Sequence, residues 1–148
     1  MNRLREESDN WTKNIIFTGD SFVGKTVFLS GICKELLLRT TKSVLFINCF
    51  DVFSTAKNEE VLWESAHRAS TVDVLILDDL VKPVKDWEYT WLYTVLNERM
   101  QNVKTVHAST NLEDLEASLD ARLYSRLVNE GYCIELTKNS WKGNYENM

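Results

Sequence analysis

The chain has 148 residues, 44% of them hydrophobic and 26% charged, with a formal net charge of −5. That composition supports one ordinary folded domain and excludes a disordered chain. The acidic balance argues against a dedicated DNA binder acting as a lone monomer, because such proteins draw their non-specific affinity from a basic face.

No apolar run approaches the roughly 18 residues that a membrane helix requires. The polar start MNRLREESDNW is neither a signal nor a transit peptide, so a cytosolic protein is expected. Residues 1–13 read as a short N-terminal extension and 14–148 as the domain. NIIFT (Asn14–Thr18) is a short apolar strand that leads straight into GDSFVGKT (Gly19–Thr26). A helix follows from Thr26, with Leu29, Ile32, Cys33, Leu36 and Leu37 at helical spacing. SVLFINC (Ser43–Cys49) reads as a second buried strand, and residues 56–69 as a helix with Val61, Leu62 and Ala66 available for one face. VDVLILDD (Val72–Asp79) is a third strand ending in two carboxylates. Beyond the single proline, Pro83, residues 87–101 suit an amphipathic helix bearing Trp87, Trp91, Val95 and Leu96. KTVHAST (Lys104–Thr110) is the fourth strand, residues 112–128 hold one or two short helices, and YCIEL (Tyr132–Leu136) is the fifth strand.

Strands alternating with helices, in near-continuous apolar runs, predict a parallel sheet covered on both faces. Ligands of such sheets bind beyond the carboxyl ends of the strands. The glycine loop, Asp78–Asp79 and Ser109–Asn111 all fall there, so three motifs converge on one edge. Cys33, Cys49 and Cys133, odd in number and without CxxC spacing, read as buried thiols. His67 and His107 have no partners at metal spacing and read as structural. The aromatic group Trp87, Tyr89, Trp91 and Tyr93 reads as core and interface.

GDSFVGKT has two glycines with four residues between them, followed by Lys and Thr. Backbone N–H groups of Gly19, Asp20, Ser21, Phe22, Val23 and Gly24 can wrap a phosphate chain at the start of the next helix. Lys25 would reach the β- and γ-phosphates of ATP, and the Thr26 hydroxyl would hold Mg²⁺. Phe22 stands where many such loops have a third glycine, and a positive φ costs Phe more, so altered or weakened binding is expected rather than none. Asp78 is suited to Mg²⁺ and Asp79 to orienting or deprotonating the attacking water. Aspartate is shorter than the glutamate common in that second role, so turnover is expected to be slow. Asn111 could hydrogen-bond the γ-phosphate or the water, or simply cap the helix beginning near Leu112. Arg122 and Arg126 lie one helical turn apart, as a solvated face or as a finger presented to a neighbouring subunit's ATP.

These stretches together resemble the AAA+ ATPase domain of the DnaC/DnaI-type replicative helicase loaders, with the IstB transposition ATPases as near relatives. The resemblance covers roughly residues 12–142 and rests, in order, on IIFTGDSFVGKT, GICKELLLR, VLFINCFDVF, VDVLILDDL, LNERM, STN and ARLYSRL. It implies an α/β P-loop NTPase of the AAA+/RecA-like ASCE type, a three-layer sandwich around a five-stranded parallel sheet without a separate lid domain. By that similarity Lys25 and Thr26 match the Walker A pair, Asp78 and Asp79 the Walker B pair, and Asn111 the sensor. Arg122 and Arg126 fall in the arginine-finger motif, Arg126 being the better placed. Lys142 stands where these loaders tend to carry a second-sensor arginine, and about a dozen residues precede the first strand where relatives have a helicase-gripping region.

The resemblance thus implies a minimal loader of phage or mobile-element type. It would bind ATP or ADP with Mg²⁺ and hydrolyse ATP slowly, on assembly with itself or with a replicative helicase or loader. Single-stranded DNA would be bound in the assembled form. The alternative is a catalytically weak or inactive AAA+-like protein that modulates a replication helicase or its loader. A small-molecule kinase on the same sheet would need an Arg-rich acceptor lid, for which the chain has no clear candidate.

Overall fold

Residues 13–20, 23–55 and 58–137 are described by a computed structural model of the chain. The elements run β1 (Ile15–Thr18), α1 (Lys25–Arg39), β2 (Val44–Asn48), α2 (Cys49–Thr55), α3 (Glu59–Thr71), β3 (Val74–Leu80), α4 (Asp86–Gln101) and β4 (Thr105–Thr110). They continue with α5 (Leu112–Ser118), α6 (Ala121–Tyr124), a π-helical turn (Ser125–Asn129) and β5 (Tyr132–Glu135). The strands pair in parallel in the order β2-β3-β4-β1-β5. Parallel neighbours need crossovers, and the helices between strands supply them. β4 lies between β1 and β3, so the segments following β1, β3 and β4 meet at one edge although they are far apart in sequence.

Alternate residues of a strand face opposite sides of its sheet. Phe17, Val74 and Ile76 point one way and pack with Val23 and with Leu29 and Leu36 of α1. Ile16, Leu75, Leu77, Val106 and Ala108 point the other way and pack with Leu62 and Ala66 of α3 and with Trp91, Val95 and Leu96 of α4. Leu115, Leu123 and Leu127 extend that second core beneath the short helices. The result is the expected three-layer sandwich of helix, sheet and helix. Phe53 of α2 meets Trp87 and Trp91 edge-on, with centroids 5.9 and 5.8 Å apart, which ties α2 to α4. Among the described residues no helix is long and apolar enough to cross a membrane.

Several expectations need correction. Residues 49–55 form a helix that periodicity did not reveal, because it follows β2 without a break. β2 and β5 are edge strands; Phe46 is exposed and so is every residue of β5. Their apolar runs looked like those of fully buried strands because a run by itself does not tell an edge from a centre. Leu37 and Val61, expected inside, are 61% and 51% exposed, since α1 and α3 each bury a narrower stripe than their apolar positions span. Only Cys49 of the three cysteines is buried; Cys33 is half-buried and Cys133 exposed. Burial pushes the Cys49 thiol up to about 12, so it stays protonated and inert.

His107, fully buried in β4, accepts a hydrogen bond at Nδ1 from the Ile15 N–H at 3.2 Å. The proton is therefore on Nε2, which has no hydrogen-bond partner among the described residues. Burial, then the nearby Arg99 charge, lowers its pKa from 6.5 to about 4. A histidine held neutral in the fold contributes stability that is complete above pH 6.5 and is lost as pH falls toward 4. Urea titrations across that range should show roughly 3 kcal/mol of acid-side loss, and His107→Leu should flatten that slope.

Candidate nucleotide site

The loop after β1 is built from backbone conformations that favour glycine. Gly19 has φ 134°, and a Cβ there would overlap the carbonyl oxygen of Leu136. Gly24, at φ 95°, is the N-cap of α1 and contributes no side-chain cap, so the first N–H groups of a 15-residue helix point at the loop. Val23, buried under α1, anchors the loop to the apolar layer. Ser21 and Phe22 lie outside the described residues, as does Lys142. The Lys25 ammonium turns back across the loop and donates to the Gly19 carbonyl at 2.6 Å. A lysine stem is flexible, so exchanging that carbonyl for a phosphate oxygen changes a partner and not the fold.

Behind the loop, the Thr26 hydroxyl shares its proton between Asp78 Oδ1 and Oδ2, at 3.1 and 3.0 Å. Ser109 Oγ donates to Asp78 Oδ1 at 2.6 Å and accepts from the Asp79 N–H at 2.9 Å. The β3–β4 register shifts between Leu77 and Leu80, so Asp78 and Asp79 occupy an irregularity of the ladder. Asp79 takes the left-handed conformation there, with φ 51°, which aspartate tolerates better than most residues. The irregularity turns Asp78 inward, 4% exposed, and Asp79 outward. Asn48, at the end of β2, donates from Nδ2 to Asp79 Oδ2 at 2.9 Å.

A hydroxyl and a carboxylate about one hydrogen bond apart are a fitting donor pair for Mg²⁺, which takes oxygen ligands and shares them with substrate phosphates. Among the described residues no group of three or more His, Cys, Asp or Glu could hold a metal ion by itself. A divalent ion here would need further oxygens, from water or from a bound nucleotide.

Asn111 is the N-cap of α5: its Oδ1 accepts from the Asp114 N–H and its Nδ2 donates to Asp114 Oδ2, both at 2.7 Å. Of the two readings open from the sequence, the cap is the one this geometry displays. Asn111 also lines a cavity of about 370 Å³ with Thr18, Gly19, Asp20, Glu113 and Glu135. Asn111→Ala should cost about 1 kcal/mol in thermal or denaturant unfolding through the lost cap. Arg122 and Arg126 are not brought to this site. Arg122 donates to Asn97 Oδ1 at 2.6 Å and to the Tyr93 hydroxyl at 3.2 Å, both on α4. Arg126, in the π-helical turn, lines a cavity of about 400 Å³ at the amino ends of the strands.

Sequence reasoning did not find Asn48, nor Ser109 as the partner of Asp78. Asn48 is the last residue of an apolar strand, a detectable signal, but its contact depends on β2 lying beside β3.

The family profile described as IstB-like ATP binding protein matches residues 8–143. The Phage-like element PBSX protein XkdC of Bacillus subtilis (strain 168) is 31% identical over 132 residues, covering 80% of this chain and 50% of that protein. The chain thus spans about half the length of that curated relative. Among solved structures, DnaI superimposes with TM-score 0.70 at 24% identity, covering 90% of this chain and 81% of that one. The DnaC helicase loader gives 0.70 at 18%, covering 92% and 87%. AMPPCP-bound DnaA from Aquifex aeolicus gives 0.72 at 21%, covering 99% of this chain and 49% of its own. These neighbours have the AAA+ P-loop ATPase fold, and the five-stranded parallel sheet described above is the same fold. The chain belongs to the IstB-like ATP binding protein family.

Proposed function

We propose that the chain is a helicase-loader-like ATPase of DNA replication in a phage or mobile element, binding ATP with Mg²⁺ at Gly19–Thr26. The observation that carries this reading is the Thr26–Asp78–Ser109 cluster, a hydroxyl and a buried carboxylate joined beside a glycine loop that opens a helix. In this reading Lys25 holds the β- and γ-phosphates, while Thr26 and Asp78 hold Mg²⁺, which neutralises charge on those phosphates. Ser109 keeps Asp78 oriented. Asp79 orients the attacking water once Asn48 releases it, and Asn111 can assist only by leaving Asp114. Arg126 lies at the far end of the sheet, so it would act on a neighbouring copy, and hydrolysis would be slow until the protein assembles. The partner would be a replicative helicase or its loader, with single-stranded DNA bound in the assembly.

Calorimetric titration with ATP and ADP in the presence of Mg²⁺ tests the core of this reading; absence of binding would reject it. A second reading, a weak or inactive AAA+-like modulator of such a helicase or loader, draws on the contact holding Asp79 to Asn48. Phosphate release measured with the partner helicase present separates the two, because the modulator would bind nucleotide without turnover.

A further inference from the structure

The ladder between β3 and β4 pairs Leu77 with Ala108 and Leu80 with Thr110, so two residues of β3, Asp78 and Asp79, face one residue of β4, Ser109. A two-against-one count is a β-bulge, a device that re-aims side chains beside functional sites. Its left-handed position falls on Asp79, at φ 51°, where glycine would be unstrained and any other residue carries roughly 1 kcal/mol or more. Side chains of β4 hold the bulge in place. Ser109 Oγ accepts from the Asp79 N–H at 2.9 Å, and Thr110 Oγ1 donates to the Leu80 carbonyl at 2.6 Å. Ser109 is fully buried, and the same hydroxyl also donates to Asp78 Oδ1 at 2.6 Å. Its proton and one lone pair are therefore committed to two neighbouring residues at once.

One chain of hydrogen bonds thus runs from Thr26 through Asp78 and Ser109 to the Asp79 main chain, and the Asp79 carboxylate continues it to Asn48. Asp78 faces inward and Asp79 outward, so Ser109 is the non-covalent link between them. We infer that Ser109 is a positioning residue that couples the engagement of Asp78 to the conformation of Asp79. The described residues give the Asp78 carboxylate two hydroxyl donors, Thr26 and Ser109. When Thr26 turns to a ligand in the loop, Asp78 loses one of them and settles anew against the other. A serine hydroxyl fixed by two bonds cannot follow one partner without moving relative to the second. The bond to the Asp79 N–H loosens, and the strain stored in the left-handed conformation then favours leaving it. That main-chain change carries the Asp79 carboxylate off Asn48. The coupling rests on the proposed ATP site and supplies a cause for the release of Asp79, which would otherwise need a separate trigger.

The test follows amide resonances of the full chain by NMR. Without nucleotide, the Asp79 N–H should exchange more than about tenfold faster in Ser109→Ala than in wild type, while the N–H groups of Leu75 and Ile76 keep their rates. With saturating Mg-ADP, the side-chain amide of Asn48 should shift in wild type and stay at its nucleotide-free position in Ser109→Ala. Asp79→Gly marks where that resonance lies when its carboxylate partner is gone. A serine that only supported the fold would lower the melting temperature without removing the Asn48 response from a folded, saturated variant. Equal Asp79 exchange in Ser109→Ala and wild type, or an Asn48 shift in Ser109→Ala as large as in wild type, would overturn the inference. Should Ser109→Ala not fold, Ser109→Cys replaces it, because a thiol donates and accepts only weakly. Wild type that gives titration heat with Mg-ADP but no Asn48 shift overturns the coupling and leaves the ATP site standing. Wild type without titration heat rejects the ATP site, and the coupling with it.

Discussion

Lys25→Ala is expected to reduce Mg-ATP affinity by about 100-fold or more, since charge-assisted hydrogen bonds contribute roughly 1.5–3 kcal/mol each and this ammonium would serve two phosphates. The folded state should barely notice the change. Lys25 gives up one bond, to the Gly19 carbonyl, at a half-buried position that water can reach. Calorimetry and a thermal melt on the same sample therefore distinguish a lost ligand contact from a damaged fold. An unchanged affinity would mean that the glycine loop does not grip the phosphates through this lysine, and the nucleotide reading would fall. A lost affinity with an unchanged melting temperature would place the defect at the phosphates.

The second large effect concerns stability. Arg99 is fully buried in α4, and its guanidinium donates to four main-chain carbonyls: Ala69 at 2.9 Å, Val72 at 2.6 Å, Asp73 at 2.9 Å and Thr105 at 2.8 Å. Those carbonyls belong to the end of α3, the approach to β3 and the start of β4, so one side chain holds three segments together. Burial lowers its pKa from 12.5 to about 10, partly offset by Asp73, which leaves it charged at neutral pH. Arg99→Met fills much of the same volume but leaves the carbonyls without their donor. Removing such a partner should cost about 3–5 kcal/mol, a large share of the 5–15 kcal/mol typical of a whole domain. The melting temperature should fall by roughly 10 °C. Arg99→Lys should recover only part, because a single ammonium cannot match the planar fork. Unfolding midpoints of the three proteins check this; a loss below about 1 kcal/mol in Arg99→Met would show that water satisfies those carbonyls.

Arg99 also shows where sequence reading ends. In LNERM it looks like one more cation on an amphipathic helix, and nothing local marks it as buried. Its role depends on β3 and β4 starting beside the end of α3. Asn48 and Ser109 are similar: each acts on an aspartate of another strand, and only the order β2-β3-β4 brings those strands together. The exposure of β5, Leu37 and Val61 was hidden for the same reason, since an apolar residue is buried only where another element covers it.

What the sequence determined by itself is everything set by neighbours along the chain. The period of apolar residues gives the type and order of most elements, while Gly19 and Gly24 provide positive φ at either end of the glycine loop. Lys25 and Thr26 begin the helix at whose N-terminus an anion can sit. Parallel strands with helical crossovers put every strand's carboxyl end on one edge, so the meeting of the glycine loop, Asp78–Asp79 and Ser109–Asn111 was legible in the sequence. Tertiary structure alone decided which strand lies beside which, and hence that Ser109 bridges Asp78 and Asp79 and that Asn48 holds Asp79. Hydrogen bonds between distant residues form only once the sheet order is set, and sheet order follows from packing both faces at once.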